Sequence, residues 1–258
     1  DQVFYNEMTL LREYGHDVYE YTVSNEEISK MSLVAAGINT IWSRRSFTKI
    51  KKLLTELKPD LVHFHNIFPI LSPSVYFACN IAKIPVVQTL HNYRLLCPSA
   101  LFFRQGKTCL KCLDLGFPWP AIRHACYRNS YGASIAVVAM LLVHRWLSSW
   151  KKQVDCYIAL SEFSRQKFIQ GGVPKKKIMV KPNFTEIDPD VKIAENEYAL
   201  FIGRISAEKG IDVLLRAWQK CGSRQLLIFG KGPLEVEVQE AIRNCALTAI
   251  TMKGQTSR

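Results

Sequence analysis

Residues 198–233 read YALFIGRISAEKGIDVLLRAWQKCGSRQLLIFGKGP, and this stretch decides the fold. A short apolar run at 199–202 stops at Gly203-Arg204. After Lys209-Gly210, the residues Ile211, Leu214, Leu215 and Trp218 recur at i, i+3, i+4 and i+7 as one helix face. A second apolar run at 226–229 stops at Gly230-Lys231-Gly232-Pro233, where proline suits the first turn of a further helix. A helical crossover joins parallel strands, so both loops emerge at one carboxyl edge, where ligands of open α/β sheets bind. The first loop carries the cations Arg204 and Lys209. The second carries glycines that let backbone N–H groups approach an anion. Together they read as an anion site, for which a diphosphate is the natural ligand. The plainer alternative is a crossover whose Arg and Lys only face water, and no dinucleotide or P-loop fingerprint is present.

The segment FIGRISAEKGIDVLLRAW followed by LLIFGKGP resembles the donor-binding half of retaining glycosyltransferases of family 4, which have the two-domain GT-B fold. In that family the Arg and Lys of GR…EKG contact the diphosphate of a nucleotide-sugar, and the G-x-G-P loop lies against the nucleoside. The resemblance therefore implies a donor site of Gly203, Arg204, Lys209, Gly230, Gly232 and Pro233. Arg204 and Lys209 would also offset charge on the leaving diphosphate, so no cofactor is required for catalysis. PDLVHFHN, PVVQTLHNYRLLCP, CYIALSEFSRQKF and MVKPN resemble N-domain landmarks of the same family, each less specific than the GR…EKG loop.

Working outward, the α/β pattern continues. Strand-like runs stand at 61–64, 86–90, 156–160 and 249–253, with a further one at 17–23 after an amphipathic opening helix marked by Val3, Met8, Leu10 and Leu11. The fold class expected is α/β of GT-B type, two Rossmann-like domains with parallel sheets. Residues 1–185 form an N-terminal acceptor-side domain, 186–197 a linker without periodicity, and 198–258 the start of a nucleotide-sugar-binding domain. Set against the resembled family, the first central strand with its Gly-Gly loop and the later Glu-x7-Glu segment are missing. The expectation is therefore a fragment cut at both ends, inactive alone.

Composition constrains partners more than fold. The 258 residues are 48% hydrophobic and 22% charged, ordinary for a globular chain, but the net charge of +12 favours anionic partners. The resemblance implies a nucleotide-diphosphate sugar donor and a sugar or lipid-linked sugar acceptor. A nucleic-acid-binding role is disfavoured, because no aromatic and basic residues interleave on a strand face. A nucleotide-sugar epimerase or a phosphorylase of similar fold stays open as an alternative. The apolar run 133–143 is too short to span a bilayer. It leads into Arg145, Trp146, Trp150, Lys151 and Lys152, which fit either a buried helix with a charged end or a helix lying on an anionic membrane face. The expected location is the cytoplasm, with peripheral contact to the membrane.

His91 ends a strand, so its imidazole should project at the carboxyl edge. The resemblance implies a place beside the donor sugar and the reaction centre. His63 and His65 share one strand face, but a His-x-His metal pair needs further ligands that the sequence does not name. His65, Asn66 and Asn92 read as polar loop residues on the acceptor side. Ser161 and Glu162 occupy another edge position, where Ser161 also suits a helix N-cap. Cys79, Cys156, Cys221 and Cys245 read as scattered buried thiols. Cys97, Cys109, Cys112 and Cys126 form a CxxC with one cysteine on each side, inside a Pro- and Gly-containing insertion. Structural zinc, unliganded thiols, and disulfide or redox use all stay open for them.

Overall fold

The computed structural model describes residues 2–184, 198–221 and 224–255, so the expected linker at 186–197 lies outside the described residues. The chain divides into two compact units, Asp1–Arg104 with Thr108–Glu186 and Gln105–Lys107 with Ile187–Arg258.

The first unit runs α1 (Gln2–Glu13), α2 (Leu33–Ile41), α3 (Arg44–Leu57), β1 (Val62–Phe64), α4 (Ser74–Ile81) and β2 (Val86–Leu90). In chain order there follow β3 (Phe103–Arg104), β4 (Lys107–Thr108, with Lys107 assigned to the other unit), α5 (Lys111–Asp114), α6 (Pro120–Arg123), α7 (Tyr131–Trp146) and α8 (Ser149–Lys152). It closes with β5 (Cys156–Ala159), α9 (Glu162–Gln170) and β6 (Ile178–Val180). The main sheet has the order β1-β2-β5-β6, every pair parallel. Its register, Phe64 opposite Gln88, Leu90 opposite Ala159 and Ala159 opposite Val180, brings the carboxyl ends of all four strands to one edge. Helices pack over a core that includes Val75, Tyr76, Val86, Leu141, Tyr157 and Phe168. Serine caps begin several of them: Ser32, Ser43, Ser130 and Ser161 each accept from the backbone N–H three residues on.

Residues 17–23 do not form the expected strand. Among the described residues they pair with no strand, and Tyr19 and Tyr21 are exposed; alternation alone, without a partner strand, does not make a strand. The helix α7 is largely core, since Val137, Val138, Met140 and Leu141 are buried while Trp146 stays 83% exposed. His144 at its end is buried. A carbonyl can only accept, so its Nε2 donates to the Ile41 oxygen (2.8 Å) and its Nδ1 accepts from the Ser149 hydroxyl (2.9 Å). No helix among the described residues is long and apolar enough to cross a membrane.

In the second unit, β7 (Tyr198–Ile202), α10 (Ile211–Trp218), β8 (Gln225–Phe229), α11 (Glu235–Asn244) and β9 (Ile250–Gly254) build a parallel sheet of order β7-β8-β9. Its core is Ile205, Ile211, Leu215, Leu226, Ile228, Val238 and Ile250. Cys221 and Cys245 are exposed here, contrary to the expectation of buried thiols. They follow the ends of α10 and α11.

Candidate functional site

The loop after β7 is built from the sheet outward. Gly203 N–H donates to the Phe229 oxygen (3.0 Å) and Ile205 N–H to the Lys231 oxygen (3.1 Å), so the loops after β7 and β8 are stitched side by side. The glycines have a structural cause that the sequence reading missed. A Cβ on Gly230 would lie 1.9 Å from the Gly203 oxygen, and one on Gly232 would lie 2.1 Å from the Ile205 oxygen. Close approach to the neighbouring loop requires glycine at both positions, whatever else binds there. Pro233 continues the loop into α11. Arg204 and Lys209 are exposed on this scaffold, and neither forms an ion pair among the described residues. Gly210, at φ 69°, turns the chain from the short 3-10 turn at Ala207–Lys209 into α10.

Between the two cations sits Glu208, which sequence reasoning did not single out. Burial pushes its carboxyl up, yet the Ser206 hydroxyl at 2.7 Å, backbone N–H, and the charges of Arg204 and Lys209 hold it below its ordinary value. An anionic Glu208 keeps the loop ordered while both cations still face outward.

A second constellation lies at the carboxyl edge of the first unit. His65 follows β1 and His91 follows β2, and their rings stack with Nδ1 of His65 3.0 Å from Nε2 of His91. The other nitrogen of His65, Nε2, stands 3.3 Å from Glu7 Oε2, and Glu7 Oε1 takes the ammonium of Lys181. A carboxylate only accepts, so His65 Nε2 carries the proton. In the tautomer with His65 protonated on Nε2 alone, its Nδ1 accepts, His91 donates from Nε2, and His91 Nδ1 is left as an acceptor. His63 sits 2.8 Å from the Thr89 hydroxyl and 3.7 Å from Glu7.

Burial raises the Glu7 carboxyl, but hydrogen bonds and charge from His65 and Lys181 win and hold it at about 2. Burial, helped by the neighbouring His65, lowers His63 to about 4 and moves His91 below its ordinary value. Both rings are therefore neutral at neutral pH. Glu7, His63 and His65 bring ligand atoms within 4.8 Å of one another, which supplies the carboxylate that the His-x-His pair lacked. Lys181 holds the other oxygen of that carboxylate, and its charge opposes a divalent ion there. The group is complete as a hydrogen-bonded network.

Neither Glu7 nor Lys181 was anticipated. The signal available was a carboxylate on the apolar face of α1, three residues after Phe4 and four before Leu11. Lys181 stands just past β6 at the same sheet edge.

A cavity opens beside the histidines, lined among others by His65, Asn66, His91, Asn92 and Arg94. Asn66 and Asn92 shape its rim: each side-chain oxygen accepts from the backbone N–H two residues on, at 3.1 Å for Phe68 and 3.0 Å for Arg94. Arg94 lies over the rings of Phe68 and Tyr127 at 4.3 and 5.0 Å and donates to the Pro98 carbonyl. Ser161 caps α9 in a reciprocal pair with Ser164, and Glu162 beside it pairs in solvent with Arg165. Neither lines this cavity. Cys97, Cys109, Cys112 and Cys126 line a second, smaller cavity. No three of their sulfurs lie within 4.8 Å of one another among the described residues.

Both units carry parallel α/β sheets, as the Rossmann-like domains of GT-B proteins do. A family model described as Glycosyltransferase Family 4 matches residues 3–189, and the chain belongs to that family. It is 24% identical over 189 residues to an uncharacterized 42.6 kDa protein in the cps region of Klebsiella pneumoniae, a match covering 71% of this chain and 43% of the relative. Among solved structures it resembles Anabaena Alr3699/HepE in complex with UDP (TM-score 0.54, 17% identity, 96% of this chain and 58% of that one). It also resembles S. aureus TarM (TM-score 0.51, 15% identity, 81% and 36%). At these identities the likeness shows the fold. The chain spans less than two thirds of the length of each of these proteins.

Proposed function

We propose that the protein carrying this chain transfers a sugar from a nucleotide-diphosphate donor to an acceptor with retention of configuration. The observation that carries this reading is the pair of outward-facing cations on the loop after β7, in a chain of glycosyltransferase family 4. Arg204 and Lys209 bind the donor diphosphate and stabilise charge on it as the glycosidic bond breaks, which makes them catalytic residues through preorganised electrostatics. Gly203, Gly230, Gly232 and Pro233 hold the loop against the nucleoside. HepE has been solved with UDP-glucose as well as with UDP, which supports a donor of this kind.

On the acceptor side, His91 contacts the sugar, and its free Nδ1 accepts a hydroxyl proton in a hydrogen bond. Glu7 and His65 are positioning residues that fix the tautomer. His65, Asn66 and Asn92 bound the cavity that receives the acceptor, with Ser161 and Glu162 at the margin of the same sheet edge. The Klebsiella relative lies in a cps region, which supports a role in polysaccharide assembly. The exposed Trp146, with Arg145, Lys151 and Lys152 close in sequence, supports peripheral contact with an anionic, cytoplasmic membrane face that carries lipid-linked acceptors.

The test is a transfer assay with the intact protein, a panel of nucleotide-sugars and lipid-linked or free sugar acceptors, with product anomers read by NMR. Transfer with the donor's anomeric configuration kept is expected. Isomerised donor without acceptor consumption, or inverted product, would overturn the proposal.

A further inference from the structure

Four thiols from four separate segments meet at one cavity: Cys97 in the loop after β2, Cys109 directly after β4, Cys112 on α5 and Cys126 after α6. The insertion that carries them is built from short elements. β3 and β4 are two residues each, and α5 and α6 are four-residue helices, too short to persist on their own hydrogen bonds. Phe102, Leu113 and Ala121 anchor it on the core side, leaving the outer segments around the cavity without an apolar cluster of their own.

Charge points the same way. Arg104, Lys111 and His124 line the cavity with the cysteines, and no carboxylate does. Four thiolates on a divalent ion would carry a net double negative charge, which cationic side chains at the cavity complement.

We propose that Cys97, Cys109, Cys112 and Cys126 bind one structural zinc ion that fixes the insertion between β2 and α7. Four sulfur ligands close a tetrahedral site and leave no open position for chemistry. The sulfurs stand wider apart than that tetrahedron, and Cys97 Sγ lies 3.2 Å from the Ser99 hydroxyl. Closure therefore requires the thiols to move between staggered rotamers toward the shared centre, with Cys97 leaving Ser99.

The test uses intact protein purified without chelator from cells grown with zinc. Elemental analysis should find about one zinc per chain in the wild type and in Cys221→Ser, and far less in Cys112→Ser and Cys126→Ser. X-ray absorption of the wild type should show sulfur-only ligation at about 2.3 Å, a readout that does not depend on the variants folding. All eight cysteines should titrate as free thiols after denaturation with chelator. Wild-type protein with little zinc, a thiol count short of eight, nitrogen or oxygen ligation, or zinc retained by both variants would each overturn the assignment.

Discussion

The loop after β7 and the histidine network after β1 and β2 both gather charge at the carboxyl edge of a parallel sheet, but they leave it in opposite states. In the loop, Arg204 and Lys209 stay exposed with one shared counter-charge, Glu208, and face outward. In the network, Glu7 is buried against Lys181, His65 and His63, so the charge is consumed internally, and His91 has its Nδ1 to spare. The lesson is a division of labour. Unspent cations suit an anionic ligand, whereas a closed network suits holding one imidazole in one tautomer and one place.

The sharpest way to break this comparison is to remove the unspent charge. Arg204→Ala or Lys209→Ala should lower kcat/KM of the intact protein by roughly 10²-fold or more, as loss of a charge-stabilising donor does, with circular dichroism unchanged. Near-normal turnover in both variants would leave the cations as ordinary surface groups.

Next in size is the scaffold beneath those cations. Gly230→Ala and Gly232→Ala force a Cβ into the backbone carbonyls of Gly203 and Ile205, a contact that no side-chain motion relieves. Each should destabilise the second unit by roughly 1–3 kcal/mol in urea denaturation. Stability equal to the wild type would mean that the two loops are not joined as described.

The network is probed by pH. Glu7 is held at about 2 against an ordinary 4.5, so its contribution is complete above pH 4.5 and fades as pH falls toward 2. His63, depressed to about 4 from 6.5, favours the fold as a neutral ring; its contribution is complete above pH 6.5 and fades as pH falls toward 4. Wild-type stability should thus decline across both windows. Glu7→Gln should flatten the lower window and His63→Gln the upper, each by roughly 1 kcal/mol or somewhat more. Profiles parallel to the wild type would remove the two groups from the account.

The two regions also differ in how far they could be read in sequence, and distance along the chain explains it. Residues 203–233 carry their geometry locally. Apolar runs at 199–202 and 226–229 became β7 and β8, and the face of Ile211, Leu214, Leu215 and Trp218 became α10. The strands β1, β2 and β5 were legible for the same reason. His91 at a strand end was legible, but its partners were not, because Glu7, His65 and Lys181 come from α1, β1 and the end of β6 and meet only when four strand ends share one edge. The run at 17–23 misled because alternation records side-chain polarity and not the presence of a partner strand. Glycines 230 and 232 were recognised as a close-approach signal, while the object approached, the carbonyls of the neighbouring loop, depended on tertiary packing.

The most direct test of the central claim is calorimetric binding of nucleoside diphosphates and monophosphates (UDP, GDP and ADP against UMP, GMP and AMP) to the intact protein and its Arg204→Ala variant. If the loop after β7 is the diphosphate site, one diphosphate should bind at least about tenfold more tightly than its monophosphate, as added charge-assisted hydrogen bonds require, and Arg204→Ala should erase most of that difference. Equal affinity for the diphosphate and monophosphate of every base, or an undiminished difference in the variant, would contradict it.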